Sequence, residues 1–163
     1  MAAASDPVVI VSAVRTPLGR FMGELSPFSA HKLGSHVIGA ALERATLSPE
    51  RIDEVLMGCV LPAGQGQAPA RQAARGAGLP DATGPTTINT ACGPGLTATI
   101  LAHDILPAAP PAIVLSARLQ STTTAPSLLA TARGRYRAPH HRTIAPPTLA
   151  RLAHPHHTAP PTA

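Results

Sequence analysis

The chain has 163 residues, 2% of them aromatic, no tryptophan and 19 prolines; this suits one domain, or part of one, with a modest core of Ala, Val, Leu and Ile. Its formal charge of +5 would ordinarily point to an anionic polymer, but residues 1–104 hold all eight acidic residues against seven basic ones and residues 105–163 hold six arginines and no acid. The basicity belongs to the tail, so no nucleic acid is expected as partner of the folded part, and no apolar run approaches the ~20 residues that would span a bilayer.

"PVVIVSAV" (7–14) is a continuous β-branched run and predicts a strand buried on both faces, as in a parallel sheet. "SAHKLGSHVIGAALERA" (29–45) predicts a helix capped by Ser29, with Leu33, Val37, Ile38, Ala41 and Leu42 on the face that covers the sheet. "DEVLMGCVL" (53–61) reads as a second strand, and "PARQAARGAG" (69–78) as a short helix with Pro69 in its first turn and glycine past its end. After the strand-like "TTINTAC" a further helix carries Leu96, Ile100, Leu101 and Ile105, and "AIVLSA" (112–117) is another buried strand. This alternation predicts an α/β fold, a mainly parallel sheet with helices on its faces and right-handed crossovers. Past about residue 118 the prolines fall at intervals that neither a helix nor a central strand tolerates. The tail is expected to be irregular and unstructured.

Two cysteines, Cys59 and Cys92, do not make a disulfide framework, and no secretory signal layout opens the chain; a reducing cytoplasmic compartment is expected. Cys59 lies inside an apolar strand run and reads as a buried small hydrophobe. Cys92 precedes a helix whose unpaired N–H groups and dipole favour the thiolate, the form that attacks electrophiles. Position alone also fits a structural, half-buried cysteine. Gly93 and Gly95 allow a substrate to approach the backbone, and Pro94 suits a first helical turn. The glycines of "GPG" and "GQGQ" lack the lysine and hydroxyl of a phosphate loop. The tail histidines His140, His141, His154, His156 and His157 have no acidic or cysteine ligand beside them, so no metal site is expected.

"DPVVIVSAVRTPLGRFMGELS", "VIGAALERA", "DEVLMGCVLPAGQGQAPARQAARGAGLP" and "NTACGPGL" together resemble the N-terminal half of the thiolase family, most nearly its bacterial biosynthetic acetyl-CoA acetyltransferases. The likeness runs from about Pro7 to His103 and fades towards Arg142. Ketoacyl synthases also place a cysteine at a helix start, but "GQGQAPARQAA" and "CGPGL" favour thiolase. The resemblance implies that Cys92 is the nucleophile that accepts an acyl group from acetyl-CoA, its own backbone N–H helping to hold the thioester oxygen. The product with a second acetyl-CoA is acetoacetyl-CoA, or the reverse thiolysis runs. It further implies coenzyme A thioesters as substrates with no separate cofactor, a homo-oligomeric intact protein, a place in fatty acid metabolism, and Arg71 and Gln72 near a subunit interface.

In domain terms the expectation is an extension over 1–6, an incomplete thiolase N-terminal domain over 7–117, and a degenerate Pro/His/Arg-rich remnant over 118–163. The family draws an activating histidine and a second, acid–base cysteine from a C-terminal half, so no turnover is expected from this polypeptide alone. The alternative is a decayed, non-catalytic thiolase domain that serves as an interaction module or has no function. Where thiolases commonly read "GGMESMSNAPYLL", residues 117–129 read "ARLQSTTTAPSLL", and each replacement is reached by one base changing to cytosine. That pattern indicates drift rather than adaptation, and Arg118, standing where the family has glycine, is expected to pack poorly.

Overall fold

The computed structural model describes residues 8–108 and 112–127. Its elements are α1 (Ala30–Ala45), β1 (Glu54–Gly58), α2 (Pro69–Gly76), β2 (Gly84–Ile88), α3 (Pro94–Ile105) and β3 (Val114–Arg118), with single 3-10 turns at Pro49–Arg51 and Leu106–Ala108. The three strands form a parallel sheet in the order β2-β1-β3. Glu54 stands opposite Gly84 and Val114, and Gly58 opposite Ile88 and Arg118, so all three strands end at one level. This is the expected α/β arrangement.

β1 is the centre because its residues are apolar on both sides of the pleat. Val55 and Met57, with Cys59 just past the strand, face a core shared with Ile38 and Leu42 of α1 and Ala70, Ala73 and Ala74 of α2. Leu56 points the other way, to Ala98 and Ala102 of α3. Period-two alternation thus assigns α1 and α2 to one face and α3 to the other. Burying each large aliphatic side chain contributes roughly 1.5–3 kcal/mol.

α1 buries Ile38 and Leu42 of the expected face, while Leu33, Val37 and Ala41 are only half-buried. Its buried stripe is Ala30, Gly34, Ile38 and Leu42, and Gly34 is a position of close approach: a Cβ there would lie 3.0 Å from both Ala73 Cβ and Leu119 Cδ2. Ser29 does occupy the N-cap position, but its side chain makes no capping bond and pairs with His31 Nε2 at 3.1 Å. The cap comes from another loop, where buried Gln65 accepts the Ala30 N–H through Oε1. The helix closes with Thr46 in the left-handed region and the paired bonds Thr46 N–H to Glu43 O and Leu47 N–H to Leu42 O, a Schellman arrangement that usually takes glycine.

Two further sequence expectations fail. Residues 8–14 are not a buried strand: they form no element, and Val8, Val9, Ile10 and Val11 are 40 to 84% exposed. A β-branched run becomes a strand only by pairing, and among the described residues neither open edge of the sheet takes it; one tether is the bond from Arg44 Nη1 to Ala13 O, 2.7 Å. The apolar face assigned to α3 is also wrong in part. Leu96, Ile100 and Leu101 are exposed, and the helix is buried through Pro94, Ala98 and Ala102, the small residues that let it lie close to the sheet. Ile105 does pack, at the edge of that core.

The chain stays packed past Ala117, where loss of periodicity marks the expected boundary. Leu119 is buried in the main core, Ser121 is buried, and Thr123 and Thr124 bond back to Met22 and Gln65; the compact unit runs to Thr124. The histidine-rich tail lies outside the described residues.

Burial raises the Cys59 thiol above its ordinary value of 9.0, outweighing the Leu61 amide and the Arg118 charge, which act the other way. The unfolded chain therefore loses this proton at lower pH than the folded one, and stability falls as pH rises above about 9. Urea midpoints measured from pH 7 to 10 are expected to decline at the alkaline end, and Cys59→Ala is expected to flatten that decline.

Candidate active site at the C-terminal ends of the strands

Parallel strands direct their C-terminal ends and the following loops to one edge of the sheet, where open α/β sheets bind ligands. Three consecutive features meet there: the end of β1 at Gly58, the turn after β2, and the first turn of α3. Gly58 makes the meeting possible. A Cβ on it would lie 2.5 Å from Pro94 C and 2.7 Å from Gly95 N, a backbone contact with no flexible group able to yield. Gly95 in turn abuts Arg118 of β3, whose Cβ would be 3.1 Å from an added side chain.

Cys92 sits in the turn that feeds this helix, two residues before Pro94 at its first helical position, with Gly93 as N-cap. It is exposed, whereas Cys59 is fully buried. The turn is closed by the Gly93 N–H to Thr90 O bond, 3.2 Å, and Ala91 within it is left-handed, with φ 49°. For a residue with a Cβ this costs roughly 1–2 kcal/mol. Asn89 Oδ1 accepts the Ala91 N–H at 3.2 Å, and the hydroxyls of Thr90 and Thr97 pair at 2.9 Å across the helix start. The sequence identified Cys92 and the glycines; it did not identify Asn89, whose signal is the polar residue that can turn the backbone ahead of a tight loop.

The other singled-out side chains do local structural work. Arg71 and Arg75 both reach Asp81. Gln72 Nε2 donates to Gln65 O and Gln67 O, at 2.6 and 2.8 Å, holding the "GQGQ" loop that supplies the α1 cap. Arg118 resolves the expected packing conflict by turning outwards: it is exposed and donates to Gln120 Oε1 at 2.6 Å. Among the described residues no group of three or more His, Cys, Asp or Glu is placed to hold a metal ion.

The thiolase N-terminal domain profile matches residues 8–149. The chain belongs to the thiolase family. The match continues beyond Arg142, where the motif likeness fades. The acetyl-CoA acetyltransferase of Cupriavidus necator is 48% identical over 130 residues, covering 80% of this chain and 33% of the relative. The mitochondrial acetyl-CoA acetyltransferase of Danio rerio is 46% identical over 125 residues, 77% of this chain and 30% of the relative. The cytosolic enzyme of Rattus norvegicus is 44% identical over 128 residues, 78% and 32% respectively. Among solved structures, the Acat5 thiolase of Ascaris suum in complex with coenzyme A superposes with a TM-score of 0.76 at 31% identity, covering 83% of this thiolase chain and 35% of its own. The chain spans about a third of the length of the curated relatives it matches.

The backbone contact at Gly58 gives a direct test of how the turn is held. Gly58→Ala must push the first turn of α3 away from the sheet, at a cost of roughly 1–3 kcal/mol. A lowered urea midpoint is expected, together with an altered rate of Cys92 alkylation; an unchanged midpoint would show that α3 is not seated on β1.

Proposed function

We propose that this chain is the nucleophile-bearing domain of an acetyl-CoA acetyltransferase, with Cys92 as the residue that takes the acetyl group. One observation carries the reading: in a chain matched by the thiolase profile over residues 8–149, the exposed cysteine occupies the turn entering α3, at the end of the sheet where substrates approach. Acetyl-CoA is the donor. The Cys92 sulfur bonds to the thioester carbon, the bond from that carbon to the coenzyme A sulfur breaks, and coenzyme A leaves carrying the proton. The α-carbon of a second acetyl-CoA then attacks the acetyl-cysteine, giving acetoacetyl-CoA and freeing the thiol; thiolysis is the same sequence reversed.

The local geometry suits the first step. The Ala91 and Gly93 N–H groups on either side of Cys92 are bonded to Asn89 and Thr90, while the Cys92 N–H has no partner among the described residues. It is available to the oxygen of a bound thioester, the kind of fixed donor that stabilises developing negative charge. The proton transfers of both steps require a base and an acid, and the Cys92 side chain hydrogen-bonds to none among the described residues. Those groups we assign to the parts of the intact enzyme that its relatives have beyond this matched third.

In this reading coenzyme A thioesters are substrates and no further cofactor takes part. The intact enzyme is a homo-oligomer serving fatty acid metabolism. A cytoplasmic location accords with the cytosolic rat relative and the two free cysteines; the mitochondrial zebrafish relative defines the competing compartment.

Thiol labelling tests the assignment. Iodoacetamide at neutral pH should modify Cys92 at least about tenfold faster than buried Cys59, and prior incubation with acetyl-CoA should slow that labelling and leave one acetyl group on Cys92 by peptide mass spectrometry. Equal, slow labelling of the two cysteines, or no effect of acetyl-CoA, would remove the basis of the proposal.

A further inference from the structure

We propose that Asn89 is a positioning residue for acyl transfer at Cys92, acting by fixing the peptide that carries the Cys92 N–H. The inference rests on the role proposed for Cys92 and adds to it a residue that neither the motif nor the family match assigns.

The Asn89 side chain is used at both ends. Oδ1 accepts the N–H of Ala91 at 3.2 Å, and Nδ2 donates to Val60 O at 3.3 Å. One partner is a donor and the other an acceptor, so the amide has only one satisfactory orientation. A single planar group therefore ties the turn after β2 to the segment leaving β1, the central strand. Cys59 N–H to Ile88 O, 2.8 Å, joins the same two segments one step earlier, so the anchor itself is fixed to the sheet.

The consequence falls on Cys92. Ala91 is held left-handed at φ 49°, and its N–H is the group that Asn89 grips. Rotation of that residue would swing the next peptide plane, and with it the Cys92 N–H and the direction in which the sulfur leaves the backbone. Gly93 closes the far side through Thr90 O. Among the described residues the Cys92 N–H is unclaimed while its neighbours on both sides are claimed, and Asn89 supplies the first of the two claims. Few side chains can substitute. Alanine loses both bonds, while serine is able to take the Ala91 N–H but is too short to reach Val60 O as well.

The experiment uses the full chain as wild type, Asn89→Ala and Asn89→Ser, with two probes of Cys92. Iodoacetamide reports the thiol alone. p-Nitrophenyl acetate reports acyl transfer without any need for coenzyme A contacts: the sulfur bonds to the acetyl carbon, p-nitrophenolate departs with the electron pair of the broken ester bond, and the thiol proton passes to buffer. Protection of Cys59 from iodoacetamide is the control for folding. Asn89→Ala is expected to lower the ratio of acetylation to alkylation roughly tenfold, with Asn89→Ser between it and wild type. A loss of fold would raise Cys59 labelling instead of changing this ratio.

A ratio within about twofold of wild type in both variants overturns the inference, since misplacing the donor N–H should cost more than that. If Asn89→Ala exposes Cys59, the result is read from Asn89→Ser; exposure of Cys59 in both variants means that Asn89 holds the fold and not the turn, which overturns it too. Wild-type chain that alkylates at Cys92 yet takes no acetyl group from the ester would remove the proposed role of Cys92, and this inference with it.

Discussion

The arrangement depends on the absence of one side chain. At Gly58 the central strand meets the first turn of α3 backbone to backbone, leaving no space for a Cβ. Close packing ordinarily separates a helix from a sheet by the thickness of their side chains. Here that thickness is removed at the point where the helix begins, and kept small along it by Ala98 and Ala102. The helix start is drawn to the edge where β1, β2 and β3 all terminate, and the turn bearing Cys92 comes with it. Glycine at 58 thus fixes the cysteine without touching it.

A second constraint orients what the first brings close. The turn before α3 strains Ala91 into the left-handed region, and hydrogen bonds from Asn89 and across Thr90 and Thr97 hold it there. Such strain persists only where the surroundings over-determine the backbone. The result is an exposed sulfur on a rigid turn, while the other sulfur, Cys59, is sealed in the opposite core. The two cysteines differ because Cys59 directly follows β1 on its buried face, whereas Cys92 lies in the exposed turn entering α3.

The sheet and the helices were legible because their signals are local. β1 is apolar on both sides of its pleat, and "PARQAARG" carries its proline and its terminal glycine at the two ends of a helix. What was not legible depended on contacts distant in sequence. Residues 8–14 have the composition of a buried strand, but composition cannot supply the neighbour that a strand must pair with. The burial of alanines and the exposure of Leu96, Ile100 and Leu101 in α3 invert the ranking by side-chain size, because closeness to Gly58 selects for small residues. Gln65 caps α1 across 35 residues, which no reading of Ser29 and its neighbours predicts. At the site, Cys92 was visible through its motif and family, whereas Asn89, although it opens the same "NTACGPGL" stretch, had no legible role, because nothing in the sequence distinguishes an anchoring amide from a solvated one.

Because the middle of α3 meets the sheet through alanines, Ala98 and Ala102, its tilt is set by volume. Gly58 acts as a fulcrum under one end, and Ala98 and Ala102 are shims beneath the shaft. Thickening a shim by even one branched side chain would lever the helix about its seated end and redirect the sulfur through an arc, with no group near that sulfur altered. Drift towards bulkier residues on this buried face would therefore displace Cys92 by mechanics, without altering a single residue of its own turn.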